Sequence, residues 1–199
     1  RRNGEYQLLD PTWVPFVREL WSSREQQQNY LMGLPEGADL MITDVSDPEN
    51  HYLKITNKAR IDEKGNLKGT IKVAAEGQSD AAVRSIFTRQ YKSEWDALLN
   101  AELQRIFPQA EISGITKTDP FGYKEKPVSL VYEYTIPDFA LVDDDKFVFN
   151  SLSNQGFMRH NRFGKRLNAG LEERKHDYRI GCSQKVEIEE VFELPAKIK

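Results

Sequence analysis

Residues 51–77, with the sequence HYLKITNKARIDEKGNLKGTIKVAAEG, contain the clearest supersecondary pattern of the chain. Apolar and polar side chains alternate in both halves of this stretch, with the apolar positions at Leu53, Ile55, Ala59 and Ile61 and then at Leu67, Ile71, Val73 and Ala75. A period of two is typical of a strand that buries one face. The residues between the two halves, 62–66, are of types that favour turns. We therefore predict a long β-hairpin with one apolar face, ending at Gly77.

The segment after the hairpin predicts one long amphipathic helix. Either Ser79 or Asp80 could cap its N-terminus, and Pro108 ends it. Between these points the apolar residues recur at spacings of three and four, at Val83, Ile86, Phe87, Tyr91, Trp95, Leu98, Leu99, Leu103 and Ile106. Such a stripe covers one face of a helix, and packing against the hairpin is the favoured interpretation, with a partner-binding face as the alternative. We expect a helix over about residues 80–107.

Three or four further strands are expected after this helix. The candidate segments are Ala110–Thr116, the alternating run Val128–Ile136, Phe147–Phe149 after the polar turn Asp143–Lys146, and a last alternation from Val186 to Leu194. Residues 151–177 are polar and without a pattern, which indicates a long loop. The fold class predicted is therefore α+β: a largely antiparallel β-sheet packed by one long amphipathic helix (about 80–107).

The segment before the hairpin is expected to be a linker. Ser22 and Ser23, each followed three residues later by Glu25 or Gln26, form two overlapping capping boxes. They predict a short polar helix that extends to about Met32, with Gly33 as its left-handed cap, followed by a short strand over Leu40–Thr43.

The bulk composition excludes several classes of protein. The chain has 199 residues, of which 39% are hydrophobic and 30% are charged, a balance that indicates a folded domain rather than a disordered chain. Its 28 Lys and Arg and 31 Asp and Glu are interspersed and give a formal net charge of -3, which argues against a nucleic-acid partner. The sequence contains no apolar run long enough to predict a membrane span.

The residues that could carry chemistry are few. His51, His160 and His176 share no metal-ligand spacing, and the run Asp143–Asp145 lacks the alternation of a calcium loop. The chain contains no phosphate-binding or dinucleotide motif, so we expect no cofactor and no metal. The single cysteine, Cys182, is expected to be a buried or half-buried thiol in a strand. Basic residues between 159 and 166 alternate with aromatic ones, but four charges in a loop are weak evidence for nucleic-acid binding.

Asp10 is the one candidate catalytic residue. It ends an alternating segment that starts after Asn3-Gly4, and Pro11 follows it directly. A carboxylate at the end of a strand can orient a catalytic histidine, although an ordinary turn at a strand end is the simpler account from chemistry alone. Only nine residues precede Asp10, so a catalytic role would imply that the chain is part of a larger protein.

The string Gly4-Glu5-Tyr6-Gln7-Leu8-Leu9-Asp10-Pro11-Thr12-Trp13 resembles the last segment of a transglutaminase-like, papain-type catalytic core. In that family a Cys–His–Asp triad ends on a strand of the pattern G-x-W/Y-x-x-L-D-P-T. The rest of the chain, through Trp21-Ser22-Ser23, Glu76–Asp80 and Leu171–Lys175, resembles the uncharacterised β-rich region that follows such a core in proteins from Bacteroidetes.

This resemblance implies a division of the chain and a function. Residues 1–16 would be a remnant of the transglutaminase-like core, 17–50 a linker with a short helix, and 51–199 an α+β accessory domain. Asp10 would be the triad aspartate, whose cysteine and histidine partners are absent from this chain. The domain would be non-catalytic and would brace the catalytic core of its parent, a cysteine hydrolase or acyltransferase, or bind a protein or peptidoglycan-derived substrate. The family also implies a periplasmic or cell-surface location.

Two alternatives remain open. The chain could be an independent protein- or glycan-binding scaffold module, with Glu5–Trp13 as an integral strand and with an exposed aromatic patch. The candidates for that patch are Tyr132, Tyr134, Phe139, Phe147 and Phe149, which are more simply explained as core residues. An enzymatic role for this chain alone would require Cys182 to pair with a histidine.

Overall fold

A computed structural model of the chain describes residues 8, 25–35, 37, 40–123, 127–143, 146–152, 172–173, 175 and 181–196. Within them the elements follow in the order β1 (Asn29–Leu31), β2 (Leu40–Ile42), β3 (Tyr52–Ile61), β4 (Leu67–Ala75), α1 (Gln78–Thr88), α2 (Trp95–Gln104), β5 (Glu111–Lys117), β6 (Ser129–Ile136), β7 (Leu141–Asp143), β8 (Lys146–Val148) and β9 (Lys185–Glu193). Short 3₁₀ turns precede β3 at Pro48–His51 and α2 at Lys92–Glu94.

The predicted hairpin is confirmed and forms the centre of the main sheet. Strands β3 and β4 pair antiparallel over nine positions, from Leu53 opposite Ala75 to Ile61 opposite Leu67. The turn between them is closed by the Asp62 carboxylate, which accepts hydrogen bonds from the main-chain nitrogens of Lys64 and Asn66, each at 2.9 Å. The five strands of the sheet lie in the order β5-β6-β4-β3-β9.

The sheet is antiparallel except at one edge. Strands β4, β6 and β5 pair antiparallel with their neighbours, whereas β9 lies parallel to β3. The predicted strands over 110–116, 128–136 and 186–194 are thus confirmed, and the prediction of a largely antiparallel sheet is correct. Two separate antiparallel pairs, β1 with β2 and β7 with β8, complete the strands.

The core lies between one face of the sheet and the two helices. The buried side chains from β3, β4 and β6 that point to this face are Leu53, Ile55, Asn57, Ala59, Ile61, Leu67, Ile71, Val73, Ala75, Leu130, Tyr132, Tyr134 and Ile136. Helix α1 packs on β3 and β4, and α2 packs on β5. The opposite face of the sheet is polar, with Lys58, Lys72 and Glu133 exposed on it. The sheet therefore buries one face and leaves the other open to solvent.

The prediction of one long helix over 80–107 was wrong. The segment forms two helices, α1 with 11 residues and α2 with 10, separated by residues 89–94. The apolar stripe is interrupted at Tyr91, whose side chain is 80% exposed. Trp95 instead folds back on α1, where its indole nitrogen donates a 3.0 Å hydrogen bond to the main-chain oxygen of Phe87. Closing this contact requires the chain to turn between the two aromatic residues.

The predicted capping of this helix was also wrong. Gly77, with φ +63°, occupies the N-cap position, and neither Ser79 nor Asp80 is the N-cap residue of α1. A Cβ at position 77 would lie 2.2 Å from the main-chain oxygen of Asn50, so the close approach of these two segments requires glycine. Ser79 and Asp80 are turned to other buried partners, described below.

The predicted polar helix that ends near Met32 was wrong in the described residues. Gln26 and Gln27 form a turn, and Asn29–Leu31 is a strand paired with Leu40–Ile42, the latter as predicted. Gly33 has no positive φ, so it is not a left-handed helix cap. The predicted helix does not form in these residues because the main-chain nitrogen of Gln27 and the main-chain oxygen of Gln28 form hydrogen bonds with main-chain groups of Thr43 instead.

Candidate functional site

Asp10, the predicted triad aspartate, lies outside the described residues, as do His160 and His176. Most of the predicted loop over 151–177 lies outside them too. Within the polar turn before β8, Asp143 is an exposed residue at the end of β7, and its two acidic neighbours are not described. The candidate chemistry of the described residues is therefore centred on His51, Cys182 and their surroundings.

Gln26 brings together residues from three distant parts of the sequence. Its Oε1 accepts hydrogen bonds from the main-chain nitrogens of Ser46, at 3.2 Å, and Ser183, at 3.3 Å. Its Nε2 lies 3.2 Å from Ser183 Oγ, 3.5 Å from Cys182 Sγ and 3.5 Å from His51 Nε2. A buried glutamine amide thus joins the turn before β3 to the segment that leads into β9, and a histidine and the cysteine approach the same nitrogen.

His51 is fully buried, and its hydrogen bonds identify its tautomer. Its Nδ1 accepts a 3.0 Å hydrogen bond from the main-chain nitrogen of Gln78, so this nitrogen carries no proton. The proton of the neutral ring is then on Nε2, so the 3.5 Å approach of this nitrogen to Gln26 Nε2 is a contact between two N–H groups and not a hydrogen bond. The main-chain oxygen of His51 accepts from Ser79 Oγ at 2.9 Å, and Ser79 Oγ in turn accepts from Gln184 Nε2 at 2.7 Å. These bonds explain why His51 and Ser79 are buried polar residues.

The thiol of Cys182 is electrostatically unlike that of a nucleophilic cysteine. Burial, and secondly the nearby Glu25 carboxylate, raise the pKa of Cys182 to about 12. An activated thiolate needs a lowered pKa, which a cationic neighbour or an adjacent base supplies. The thiol is half-buried just before β9, not inside a strand as predicted. The Gln26 cluster (Gln26, His51, Cys182 and Ser183) therefore joins the turn before β3 to the segment before β9 through the hydrogen bonds of Gln26.

A buried ion pair joins α1 to the segment before β6. Arg84 Nε donates a 2.7 Å hydrogen bond to Asp80 Oδ2, and both side chains are at most 2% exposed. Arg84 Nη1 also donates to the main-chain oxygens of Asp119, at 3.0 Å, and Pro120, at 2.9 Å, while Asp80 Oδ1 accepts from the main-chain nitrogen of Val128. Burial raises the pKa of Asp80, and the Arg84 guanidinium acts in the opposite direction. With this many partners the pair is structural and anchors the segment that carries Phe121.

An open groove of about 610 Å³ lies where the start of α2 meets the end of β5. Its lining consists of Lys92, Trp95 and residues 115–121. The rings of Trp95 and Phe121 have centroids 6.1 Å apart, and Phe121 is 54% exposed although Trp95 is buried. Lys117 Nζ lies 5.6 Å from the centroid of the Trp95 ring and 3.5 Å from the Asp96 carboxylate. The groove combines aromatic surface with two ammonium groups.

This groove adjoins a free edge of the main sheet. Among the described strands β5 is the outermost on its side of the sheet, and it pairs there with β6 alone. Its ladder is irregular between Ile112 and Gly114, where Ser113 is an extra residue, and regular from Gly114 to Lys117. A bulge of this kind disrupts pairing locally. The regular half of the edge is therefore the half that borders the groove.

The aromatic residues proposed for an exposed patch lie elsewhere. Tyr132, Tyr134 and Phe139 are buried in the core, while Phe147 and Phe149 are partly buried against it. In the described part of the chain, no group of three or more histidine, cysteine or acidic residues could hold a metal ion. Among the same residues, no helix combines the length and the apolar character that crossing a membrane requires.

Sequence reasoning missed both the Gln26 cluster and the groove. Gln26 and Cys182 are 156 positions apart, and a glutamine in a polar run carries no signal of burial. Trp95 was assigned correctly to the core, but the exposure of Phe121 beside it depends on how the segment after β5 is anchored. Comparison of this chain with protein-family models, with curated proteins and with solved structures finds no match.

Proposed function

We propose that this chain is a non-catalytic binding domain that accompanies a transglutaminase-like catalytic core in a longer protein. The observation that carries the binding role is the groove between α2 and β5, where aromatic surface and ammonium groups lie beside an open sheet edge. Sites that combine a free edge with a side-chain pocket are a recurrent means of holding extended polypeptide. The domain would brace the core or hold its substrate.

Two features of the Gln26 cluster support a non-catalytic role. Cys182 has a pKa raised to about 12, so its thiol is protonated at neutral pH. His51 carries its proton on the nitrogen that faces the cluster, because its other nitrogen accepts from Gln78. A protonated nitrogen cannot take up a thiol proton, and this supports a non-catalytic role for His51.

The link to a transglutaminase-like core rests on the resemblance of residues 4–13, with Asp10 as the triad aspartate. On this proposal the parent protein is a cysteine hydrolase or acyltransferase exported to the periplasm or the cell surface, and its catalytic domain is the first partner of this one. A module with no link to catalysis is the second candidate, favoured by the fact that the described lining of the groove comes from α2, β5 and the residues beside them. The reading frame upstream of Arg1 decides between them: a cysteine and a histidine in a papain-like α/β pattern support the first.

The non-catalytic role is tested with the isolated chain. Release of ammonia from a glutamine-containing peptide, and incorporation of a primary amine into it, are measured for the natural chain and for Cys182→Ser. We expect no turnover above the buffer blank for either protein. Turnover by the natural chain that is lost in Cys182→Ser would overturn the proposal, and Ser183→Ala serves as the matched control for a neighbouring substitution.

A further inference from the structure

We propose that the groove beside β5 binds an extended acidic polypeptide, which pairs with the β5 edge and places an aromatic side chain against Phe121. This inference rests on the proposed role as a binding domain and specifies the chemical class of the partner. Three independent features lead to it: the direction of the main-chain groups of β5, the side of the sheet on which the groove lies, and the charges around it.

The first feature is the direction of the unpaired main-chain groups. The main-chain nitrogen of Thr118 donates a 3.0 Å hydrogen bond to the main-chain oxygen of Ser129, so this residue faces β6. Successive residues of a strand direct their N–H and C=O groups to opposite sides. Lys117 and Ile115 therefore direct theirs away from β6, to the open edge. An incoming strand can form a regular ladder with these two residues.

The second feature is the side of the sheet to which their side chains point. Ile115 lies opposite Tyr132 in the ladder and Lys117 lies opposite Leu130, and both partners are buried on the helix side. Residues directly opposite each other in a ladder share a face. The side chains of Ile115 and Lys117 are thus on the helix side, as is the groove. Every second side chain of a strand added at this edge would enter the groove.

The third feature is the charge of the groove. Lys92 is exposed and has no ion pair among the described residues, and the only carboxylate paired with Lys117 there is that of Asp96, which is itself 73% exposed. The one acidic residue of the lining, Asp119, accepts a 2.9 Å hydrogen bond from the main-chain nitrogen of Phe121. The lining has two ammonium groups against one carboxylate, and this excess of positive charge beside an aromatic surface favours a ligand with carboxylates on either side of an aromatic side chain.

The other edge of the sheet does not offer the same site. On β9 the open face carries Lys185, Glu187, Glu189 and Glu193 beside the exposed Val191, and the first two are engaged in ion pairs with Glu49 and Lys54. Its other face carries the exposed Val186 and Ile188. Charged side chains along an edge strand discourage the addition of a further strand. The groove borders the β5 edge, whereas charged side chains lie along the β9 edge, so we assign the ligand to β5.

The probe is a fluorescein-labelled heptapeptide, Thr-Glu-Thr-Phe-Thr-Glu-Thr, whose phenylalanine and glutamates share one side when the chain is extended. Binding is measured by fluorescence anisotropy with the whole 199-residue chain. The control peptides replace both glutamates by lysine, or the phenylalanine by serine. We expect each control to bind at least about fivefold more weakly, and the affinity of the parent peptide to fall as salt is raised.

Protein variants locate the site. Phe121→Ala and Lys117→Gln should each weaken binding at least about fivefold, since both side chains line the groove. The matched controls are Leu141→Ala, an exposed apolar residue of β7, and Lys72→Gln, an exposed lysine of the open sheet face, and neither should change the affinity by more than about twofold. Thermal unfolding of each variant verifies that it is folded.

Backbone methylation of the peptide tests the pairing without altering the protein. One peptide carries N-methyl groups on the phenylalanine and glutamates, the other on the central threonines. Loss of binding by one peptide and not by the other supports pairing, and the affected set gives the strand direction. Equal binding by both overturns the pairing with β5. The inference is overturned if the parent peptide does not bind, or if the groove variants and their controls have equal effects. Neither result affects the proposed function as long as the chain shows no turnover in the amide assay. Amide turnover that depends on Cys182 overturns the proposed function instead.

Discussion

The indole nitrogen of Trp95 donates a hydrogen bond of 3.0 Å to the main-chain oxygen of Phe87, eight positions earlier in the chain. The two rings also meet edge to face, with centroids 5.3 Å apart. Phe87 lies in the last turn of α1, and Trp95 begins α2, so one contact closes the bend between the helices. A buried tryptophan needs a partner for its N–H, and here that partner is a carbonyl at the end of a helix.

Replacing Trp95 by phenylalanine should destabilise the domain. The variant loses the N–H donor and part of the ring, while the Phe87 oxygen keeps its 3.1 Å bond from Gln90. We expect a loss of about 1–2 kcal/mol in the free energy of unfolding. Urea unfolding followed by circular dichroism measures it. Tyr91→Phe, in the exposed linker, is the matched control, and equal stabilities of the two variants would contradict the role assigned to the indole N–H.

Breaking the buried pair of Asp80 and Arg84 should cost far more than breaking an exposed one. Arg84→Met leaves a buried carboxylate with its main-chain donor alone, and removing one partner of a buried pair typically costs about 3–5 kcal/mol. Glu102→Gln, which breaks the more exposed pair with Arg105 at 3.2 Å, should change the free energy of unfolding by less than about 0.5 kcal/mol.

The destabilisation by Arg84→Met should also depend on pH. Burial already raises the pKa of Asp80, and the guanidinium that lowers it is absent in the variant. A pKa raised in the folded state means that the folded protein binds the proton more tightly, so stability falls as the pH rises above the pKa of the unfolded chain. The deficit relative to the natural chain should therefore be larger at neutral pH than near pH 4. A deficit that does not vary with pH would refute this account.

The thiol of Cys182 should be slow to react in the folded protein. A pKa of about 12 leaves about one thiol in ten thousand ionised at pH 8, against roughly a quarter for an unperturbed cysteine. We expect alkylation by iodoacetamide at pH 8, followed by mass spectrometry, to be at least about a hundredfold slower for the folded chain than for the chain unfolded in urea. Rapid labelling of the folded chain would show that the thiol is ionised.

The buried side chains of Cys182, Tyr132 and Tyr134 predict that the domain loses stability in alkali. Burial raises the pKa of Cys182 to about 12 and raises those of Tyr132 and Tyr134 further above their usual value. Because the unfolded chain loses these protons first, it binds fewer protons than the folded chain between about pH 9 and 12, and stability falls as the pH rises through this window. Thermal unfolding should show a decreasing melting temperature there, and a smaller decrease in Tyr134→Phe once its own loss of stability is subtracted.

Gly69 should not tolerate a side chain. A Cβ at this position would lie 2.5 Å from the Cβ of Ala59 and 2.7 Å from the main-chain oxygen of Lys58. Gly69→Ala should therefore destabilise the domain by about 1–3 kcal/mol, although alanine normally favours ordered structure over glycine. Gly33→Ala is the control, since nothing lies within 4 Å of its Cβ position, and it should leave the melting temperature unchanged within about one degree. Partial relief of the defect by Ala59→Gly would identify the clash with the Ala59 Cβ, because the contact with the Lys58 oxygen remains.

Local periodicity was sufficient to predict most of the sheet. The alternation over Leu53–Ile61 and Leu67–Ala75, with a turn between, determines the hairpin because a shift of one residue would expose its whole apolar face. The same argument predicts β6 from the run that ends at Ile136. It predicts neither the order of the strands nor the parallel pairing of β9 with β3.

The helical stripe shows where local pattern fails. Apolar spacing continues from Val83 through Tyr91 to Ile106, but the spacing does not show that the chain bends and that the Trp95 N–H donates to the main-chain oxygen of Phe87. In the same way, the helix predicted through Met32 does not account for Asn29–Leu31, which pair as a strand with Leu40–Ile42. In the residues that the structure describes, tertiary contacts override the helix propensity of this segment.

The sequence by itself determined the fold class and the two faces of the central hairpin, because strand periodicity is a property of neighbouring residues. Only the tertiary structure decided the Gln26 cluster and the groove, because their members come from separate segments. His51 and Cys182 approach one amide across more than a hundred positions, and Lys117 lies over Trp95 because β5 returns alongside α2. Burial and proximity then set the protonation of the thiol and the character of the groove, and neither can be read from the order of the residues.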